Sequence, residues 1–112
     1  MVTAARFAEI AMALDGAISA PHFDRTAFKV NRTFATLAAD GKSANLKFTP
    51  DEQEFHCMMN ETAFAPVSGG WGAQGWTTLT LAEISDEELA IALETAWRYA
   101  VPRKPRRQAA AR

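Results

Sequence analysis

The chain has 112 residues, 48% of them apolar and 22% charged, with a formal net charge of −1 and one cysteine. That length suits one domain with a single hydrophobic core, the composition is that of a soluble globular protein, and a lone Cys57 excludes an intramolecular disulfide. No apolar run approaches the ~20 residues that span a bilayer, so no membrane partner is expected. The N-terminal stretch carries an acid at Glu9 and no small-residue cleavage pattern, which leaves the cytoplasm as the expected compartment.

The near-zero total conceals an asymmetry. Residues 1–101 hold seven Lys/Arg against thirteen Asp/Glu, a net −6, whereas 102–112 hold Arg103, Lys104, Arg106, Arg107 and Arg112, a net +5. The expected organisation is one domain over 1–101 and a basic, disordered tail over 102–112. Such a tail either solvates the chain end or attracts phosphate backbones.

Residues 3–14 read as a helix, with Phe7, Ile10, Ala11 and Leu14 along one stripe, Thr3 as N-cap and Asp15-Gly16 as the stop. Ile18 to Arg25 follows as a short edge strand and loop, since Pro21 would interrupt a central strand. Thr26 to Val30 alternates, Asn31-Arg32 reads as a two-residue turn, and Thr33 to Leu37 returns. Asp40-Gly41 is a stronger turn, after which Ala44, Leu46 and Phe48 face one way and Asn45 and Lys47 the other.

Thr49-Pro50-Asp51-Glu52 opens a second helix with a capping box, and Phe55, Met58 and Met59 are its expected apolar face. Residues 61–65 read as a turn or helical fragment. Trp76 to Leu81 alternates as a strand. Ser85 to Glu88 is a second capping box, with Ile84 and Leu89 placed as a hydrophobic staple. Leu89, Leu93, Ala96 and Trp97 form the stripe of the last helix, and Pro102 ends it. This order predicts an α+β fold, an antiparallel sheet with helices packed on one face.

Four of the six glycines and two of the three tryptophans lie between Ser68 and Trp76. Gly70 to Gly75 matches G-x-G-x-x-G, but a dinucleotide fingerprint needs a helix after it, and here Trp76-Thr77-Thr78-Leu79 is a strand pattern. A kinase-type loop would need a downstream lysine, and none lies between Trp76 and Trp97. The stretch is therefore read as a loop that places Trp71 and Gln74, with Trp76 anchoring its exit.

If the helices cover the face bearing Phe28, Val30, Leu46, Phe48, Leu79 and Leu81, the opposite face carries Lys29, Asn45, Lys47, Trp76 and Thr78. An antiparallel sheet can leave that face open to solvent. Lysines there could meet phosphate, and an exposed indole is a stacking platform worth ~1–3 kcal/mol per base. Catalysis has no comparable support. His22 and Asp24 are too close in sequence to face one another as base and orienting acid, and Ser68 is in no nucleophile elbow. His56 and Cys57 project about 100° apart on a helix with no second ligand pair. No catalytic residue, metal or cofactor is expected.

Taken together, several segments resemble the MmcQ/YjbR family. They are Pro21-His22-Phe23 with Arg25, Phe28-Lys29-Val30, Phe34-Ala35-Thr36-Leu37, Asn45-Leu46-Lys47, the Thr49-Pro50-Asp51-Glu52-Gln53 helix start, Gly72-x-x-Gly75-Trp76, and Glu87-Glu88-Leu89 through Ala96-Trp97-Arg98. The match runs in order through about residues 3–102. The resemblance implies a compact α+β fold likened to type III secretion chaperones and a double-wing DNA-binding surface. The expected function is non-enzymatic DNA binding, with Arg25, Lys29, Lys47 and the tail on phosphate and Asn45, Trp71, Gln74 and Trp76 completing the contact surface. The alternative is a module that binds a protein or a small ligand without nucleic acid.

Overall fold

Thr3, Thr49 and Ser85 each accept a hydrogen bond from a first-turn N–H of the helix they precede, and at Thr49 and Ser85 the glutamate three residues on completes the capping box. In the computed structural model, which describes residues 1–102, these caps open α1 (Ala4–Met12), α2 (Pro50–Met59) and α4 (Asp86–Ala100). Residues 103–112, and with them most of the basic tail, lie outside the described residues. The strands are β1 (Ile18–His22), β2 (Arg25–Val30), β3 (Arg32–Leu37), β4 (Ser43–Lys47), β5 (Phe64–Pro66) and β6 (Trp76–Thr80). They form one antiparallel sheet in the order β1-β2-β3-β4-β6-β5.

The expected α+β architecture is the one observed. Helix α4 lies across β2, β3 and β4, and α1 packs beside it. Between them and the sheet sit Phe7, Phe28, Phe34, Leu46, Phe48, Leu79, Leu89 and Leu93, all essentially without solvent contact. Ile84 and Leu89 are both buried, as a staple requires.

Four local expectations are corrected. Residues 64–66 are a strand rather than a turn, pairing Phe64 with Leu79 and Pro66 with Thr77 at the sheet edge, where a proline is tolerated. Gly70–Ala73 is a helical turn, α3, rather than a loop. The β2–β3 connection uses one residue: Val30 pairs with Arg32, and Asn31 alone turns the chain at φ 71°.

The fourth concerns α2, whose expected apolar face points outward, with Phe55 53%, Met58 73% and Met59 67% exposed. The inward stripe is Gln53, His56 and Cys57 instead. His56 stacks on Phe48 at 4.6 Å between ring centroids and 17° between planes. Burial lowers the His56 pKa, with Glu52 opposing that shift, and burial pushes the Cys57 thiol up.

One irregularity positions the site. The β2–β3 register shifts between Phe28 and Lys29: Phe28 opposes Ala35, whereas Lys29 opposes Thr33, and Phe34 has no cross-strand partner. Such a bulge resets the alternation of the strand. Thr33 and Thr36, three positions apart, would face opposite ways in a regular strand. Here both face the side of the sheet away from α4.

Candidate functional site

The open face of the sheet is built around a row of cross-strand partners, Ala27, Thr36, Asn45, Thr78 and Ala65, one from each of β2, β3, β4, β6 and β5. These residues are small or short and polar, so the middle of the face lies low between taller neighbours. His22 and Arg25, paired at the β1–β2 hairpin end, rise on one side. Val67, Trp71 and Trp76 rise on the other. The space between is a groove of about 330 Å³, floored by Thr33, Thr36 and Asn45.

Helix α3 carries Trp71 and β6 opens with Trp76, and Gly72 and Gly75 explain how this tryptophan wall can sit so close. A Cβ on Gly72 would lie 1.8 Å from the Val67 carbonyl oxygen, and one on Gly75 would lie 1.9 Å from that of Phe48. Gly75 also holds φ 109°, open to glycine at little cost. The approach is fastened by hydrogen bonds. Phe48 N–H donates to the Gly75 carbonyl at 3.1 Å, and the Gln53 side-chain amide donates to the carbonyls of Gly72 and Trp76, each at 3.0 Å. Within the G-x-G-x-x-G run, Gly72 and Gly75 thus serve close packing, of α3 against Val67 after β5 and of the following turn against Phe48 at the end of β4. This packing leaves the Trp71 indole 63% exposed at the groove rim.

Of the seven residues that sequence reasoning singled out, Arg25, Asn45, Trp71 and Trp76 line this groove. Lys29 lies opposite Thr33 in the register but does not line it. Gln74 caps α3 with an exposed side chain outside the lining, and its backbone is what is engaged, the N–H by the carbonyls of Gly70 and Trp71 and the carbonyl by Lys47. Lys47 corrects the expectation of a phosphate contact. It is 9% exposed, its ammonium donates to the carbonyls of Phe48 (3.1 Å) and Gln74, and it lies 4.3 Å from the centroid of the Tyr99 ring. Tyr99 is shared with Arg32, which donates to its hydroxyl at 2.9 Å. The Lys47 charge is consumed in joining β4, α3 and α4.

Sequence reasoning missed Thr33, Thr36 and Val67, and it weighed His22 only as a candidate base; the structure brings His22 into the groove with Trp71 but without Gln74. His22 had a further signal, since its register with Arg25 follows from a tight β1–β2 hairpin. Thr33 had none, because the bulge at Phe34 brings it to this face.

The polar groups of the groove are arranged unevenly. Arg25 donates from Nε to Thr36 Oγ1 at 2.9 Å and from Nη2 to the Thr36 carbonyl at 3.3 Å. Asn45 Oδ1 accepts from Thr78 Oγ1 at 3.0 Å. The acceptors are therefore partly used, whereas Arg25 Nη1, the Asn45 side-chain NH2 and both Trp71 and Trp76 indole N–H groups have no partner among the described residues. None of the lining residues is a carboxylate, although residues 1–101 carry a net −6. Among the described residues no group of three or more His, Cys, Asp or Glu is placed to hold a metal ion, and no helix is long and apolar enough to cross a membrane.

A six-stranded antiparallel sheet covered by helices on one face, with a groove on the other, defines an α+β domain with one open sheet face. The YjbR family model matches residues 12–99, and the chain belongs to that family. A crystal structure of a Deinococcus radiodurans protein with a DUF419 domain superposes with a TM-score of 0.71 at 21% identity, over 86% of this chain and 76% of the other. A Pseudomonas syringae protein superposes with a TM-score of 0.64 at 13% identity, over 86% of this chain and 97% of the other. At those identities the likeness is one of fold. No curated protein matches the chain.

Proposed function

We propose that this YjbR-family protein is a non-enzymatic binding module whose open-face groove takes a small ligand. The observation that carries the reading is the convergence of two indoles, one guanidinium and one side-chain amide on a single groove of about 330 Å³. That volume is at the small end of ligand sites, and a mostly apolar wall with few convergent polar groups is their usual construction. Duplex DNA binding, which the family resemblance implies, draws instead on a broad array of exposed cations. Lys47 is withdrawn from such an array by its contacts with Phe48, Gln74 and Tyr99. The reading is non-enzymatic because the lining holds no carboxylate, serine or cysteine to pair with His22.

A heteronuclear NMR screen against a small-metabolite mixture tests it through the three indole N–H signals. Trp97 is an internal control, since its Nε1 donates to the Asp15 carbonyl at 2.8 Å, away from the groove. The expected result is a saturable shift of the Trp71 and Trp76 signals with Trp97 unmoved. Absence of any such shift, together with a salt-sensitive electrophoretic shift of duplex DNA by the full chain, would replace this reading with the nucleic-acid one.

A further inference from the structure

The groove's hydrogen-bonding inventory narrows what its ligand can be. Asn45 has its oxygen engaged by Thr78, which turns the amide NH2 toward the remaining space. Arg25 has its Nε side engaged by Thr36, through the hydroxyl at 2.9 Å and the carbonyl at 3.3 Å. The end of its guanidinium, Nη1 with the second Nη2 hydrogen, stays available as a two-pronged donor. Thr36 Oγ1, having accepted from Arg25, keeps its own proton to donate. The indole N–H groups of Trp71 and Trp76 are donors only. The groove thus offers many donors, one fixed positive charge, and no carboxylate.

On the reading that this groove binds a small molecule, we propose that its ligand is a planar aromatic or heteroaromatic carboxylate, lying against Trp71 and Trp76 with its carboxylate on Arg25. Each part of that description answers a feature of the site. A flat apolar body suits the two indoles, because stacked or edge-to-face aromatic pairs add to simple area burial. An anionic, acceptor-only head suits the free end of a guanidinium, which matches a carboxylate bidentately. Thr36 makes the match directional. By holding the Nε side it fixes the plane of the guanidinium and aims the opposite end into the groove, so less side-chain freedom is lost on binding. The absence of a lining acid also matters, since an acidic body would otherwise repel an anion at short range.

The test uses matched probes on the intact chain: 2-naphthoate, its neutral amide 2-naphthamide, and the non-aromatic cyclohexanecarboxylate, each titrated while the three indole N–H signals are followed. 2-Naphthoate should shift Trp71 and Trp76, leave Trp97 in place, and bind about tenfold or more tightly than either comparator, the scale set by one charge-assisted hydrogen bond. Arg25→Gln should erase the preference for the acid over the amide, while Arg25→Lys, which keeps charge but loses the fork, should retain only part of it. Unchanged Trp97 signals in the variants report that they fold. Equal binding of naphthoate and naphthamide would overturn the carboxylate inference while leaving the groove as a ligand site. Equal binding of naphthoate and cyclohexanecarboxylate would overturn the stacking half. If none of the three moves Trp71 or Trp76 while another metabolite does, this ligand class is wrong; if nothing moves them, the groove reading falls as well.

Discussion

Lys47 donates its buried ammonium to the backbone carbonyl of Gln74, so two residues that the sequence places as surface contacts are instead one joint of the scaffold. The bond ties the end of β4 to the C-terminus of α3, the helical turn that carries Trp71. The Phe48 carbonyl and the Tyr99 ring complete the ammonium's surroundings, within a site 9% exposed.

Lys47→Met should therefore act on stability. Removing the donor leaves the Gln74 and Phe48 carbonyls short of a partner inside the fold, a loss of about 1–3 kcal/mol. The urea midpoint should fall accordingly. If the full chain binds DNA at all, the salt dependence of that binding should be the same in wild type and variant, because Lys47 neutralises no phosphate.

The glycines separate cleanly. Gly72→Ala and Gly75→Ala drive a Cβ into the carbonyls of Val67 and Phe48, and Gly75 adds a positive φ, so each should lose about 2 kcal/mol or more. Gly70→Ala meets open space at the first residue of α3 and should be neutral or stabilising by up to about 1 kcal/mol. Thermal melts of the three variants check the ranking. Equal losses at all three positions would contradict the close-packing role given to Gly72 and Gly75.

Trp71→Ala should separate stability from binding. Its indole is 63% exposed at the groove rim, so unfolding free energy should change by no more than about 0.5 kcal/mol. Affinity for 2-naphthoate should fall about tenfold, the scale of one lost aromatic stack. Denaturation and titration on the same preparation read both quantities.

His56 should give the fold a mild acid sensitivity. Its imidazole stacks on Phe48, and burial holds its pKa below the ordinary value of about 6.5, with Glu52 opposing. Between the folded and the unfolded pKa the unfolded chain binds more protons, so stability rises with pH there. The contribution is present above about pH 6.5 and is lost as pH falls through the folded pKa. His56→Phe should keep the stack and flatten the change in melting temperature between about pH 7 and pH 5.5, the window just around the ordinary imidazole value. A wild-type slope identical to the variant's would remove His56 from the account.

Local chemistry was legible along much of the chain. Three caps begin three helices where Thr3, Thr49 and Ser85 stand, and the alternation of Ala44 to Phe48 and of Thr77 to Leu81 assigns the buried face correctly. Those signals are read within a few residues, by a side chain bonding its own helix start or by a two-residue period, so no long-range partner is needed to see them. The same local logic misjudged α2. Phe55, Met58 and Met59 are apolar at helical spacing, yet the sheet rim receives Gln53 and His56, because carbonyls of Gly72 and Trp76 and the ring of Phe48 are what lies there.

The sequence by itself determined the helix starts, the core phenylalanines and leucines, the antiparallel α+β class, the family, and four of the groove's residues: Arg25, Asn45, Trp71 and Trp76. Tertiary structure alone decided that the groove exists. It does so through the register shift that leaves Phe34 unpaired and turns Thr33 beside Thr36, through β5 taking the sheet edge, and through the burial of Lys47. Each of these depends on which distant backbone group a residue meets and on how far water is excluded there. Neither quantity is encoded in spacing along the chain, so a lysine that alternates toward solvent in the sequence ends as an internal tie in the fold.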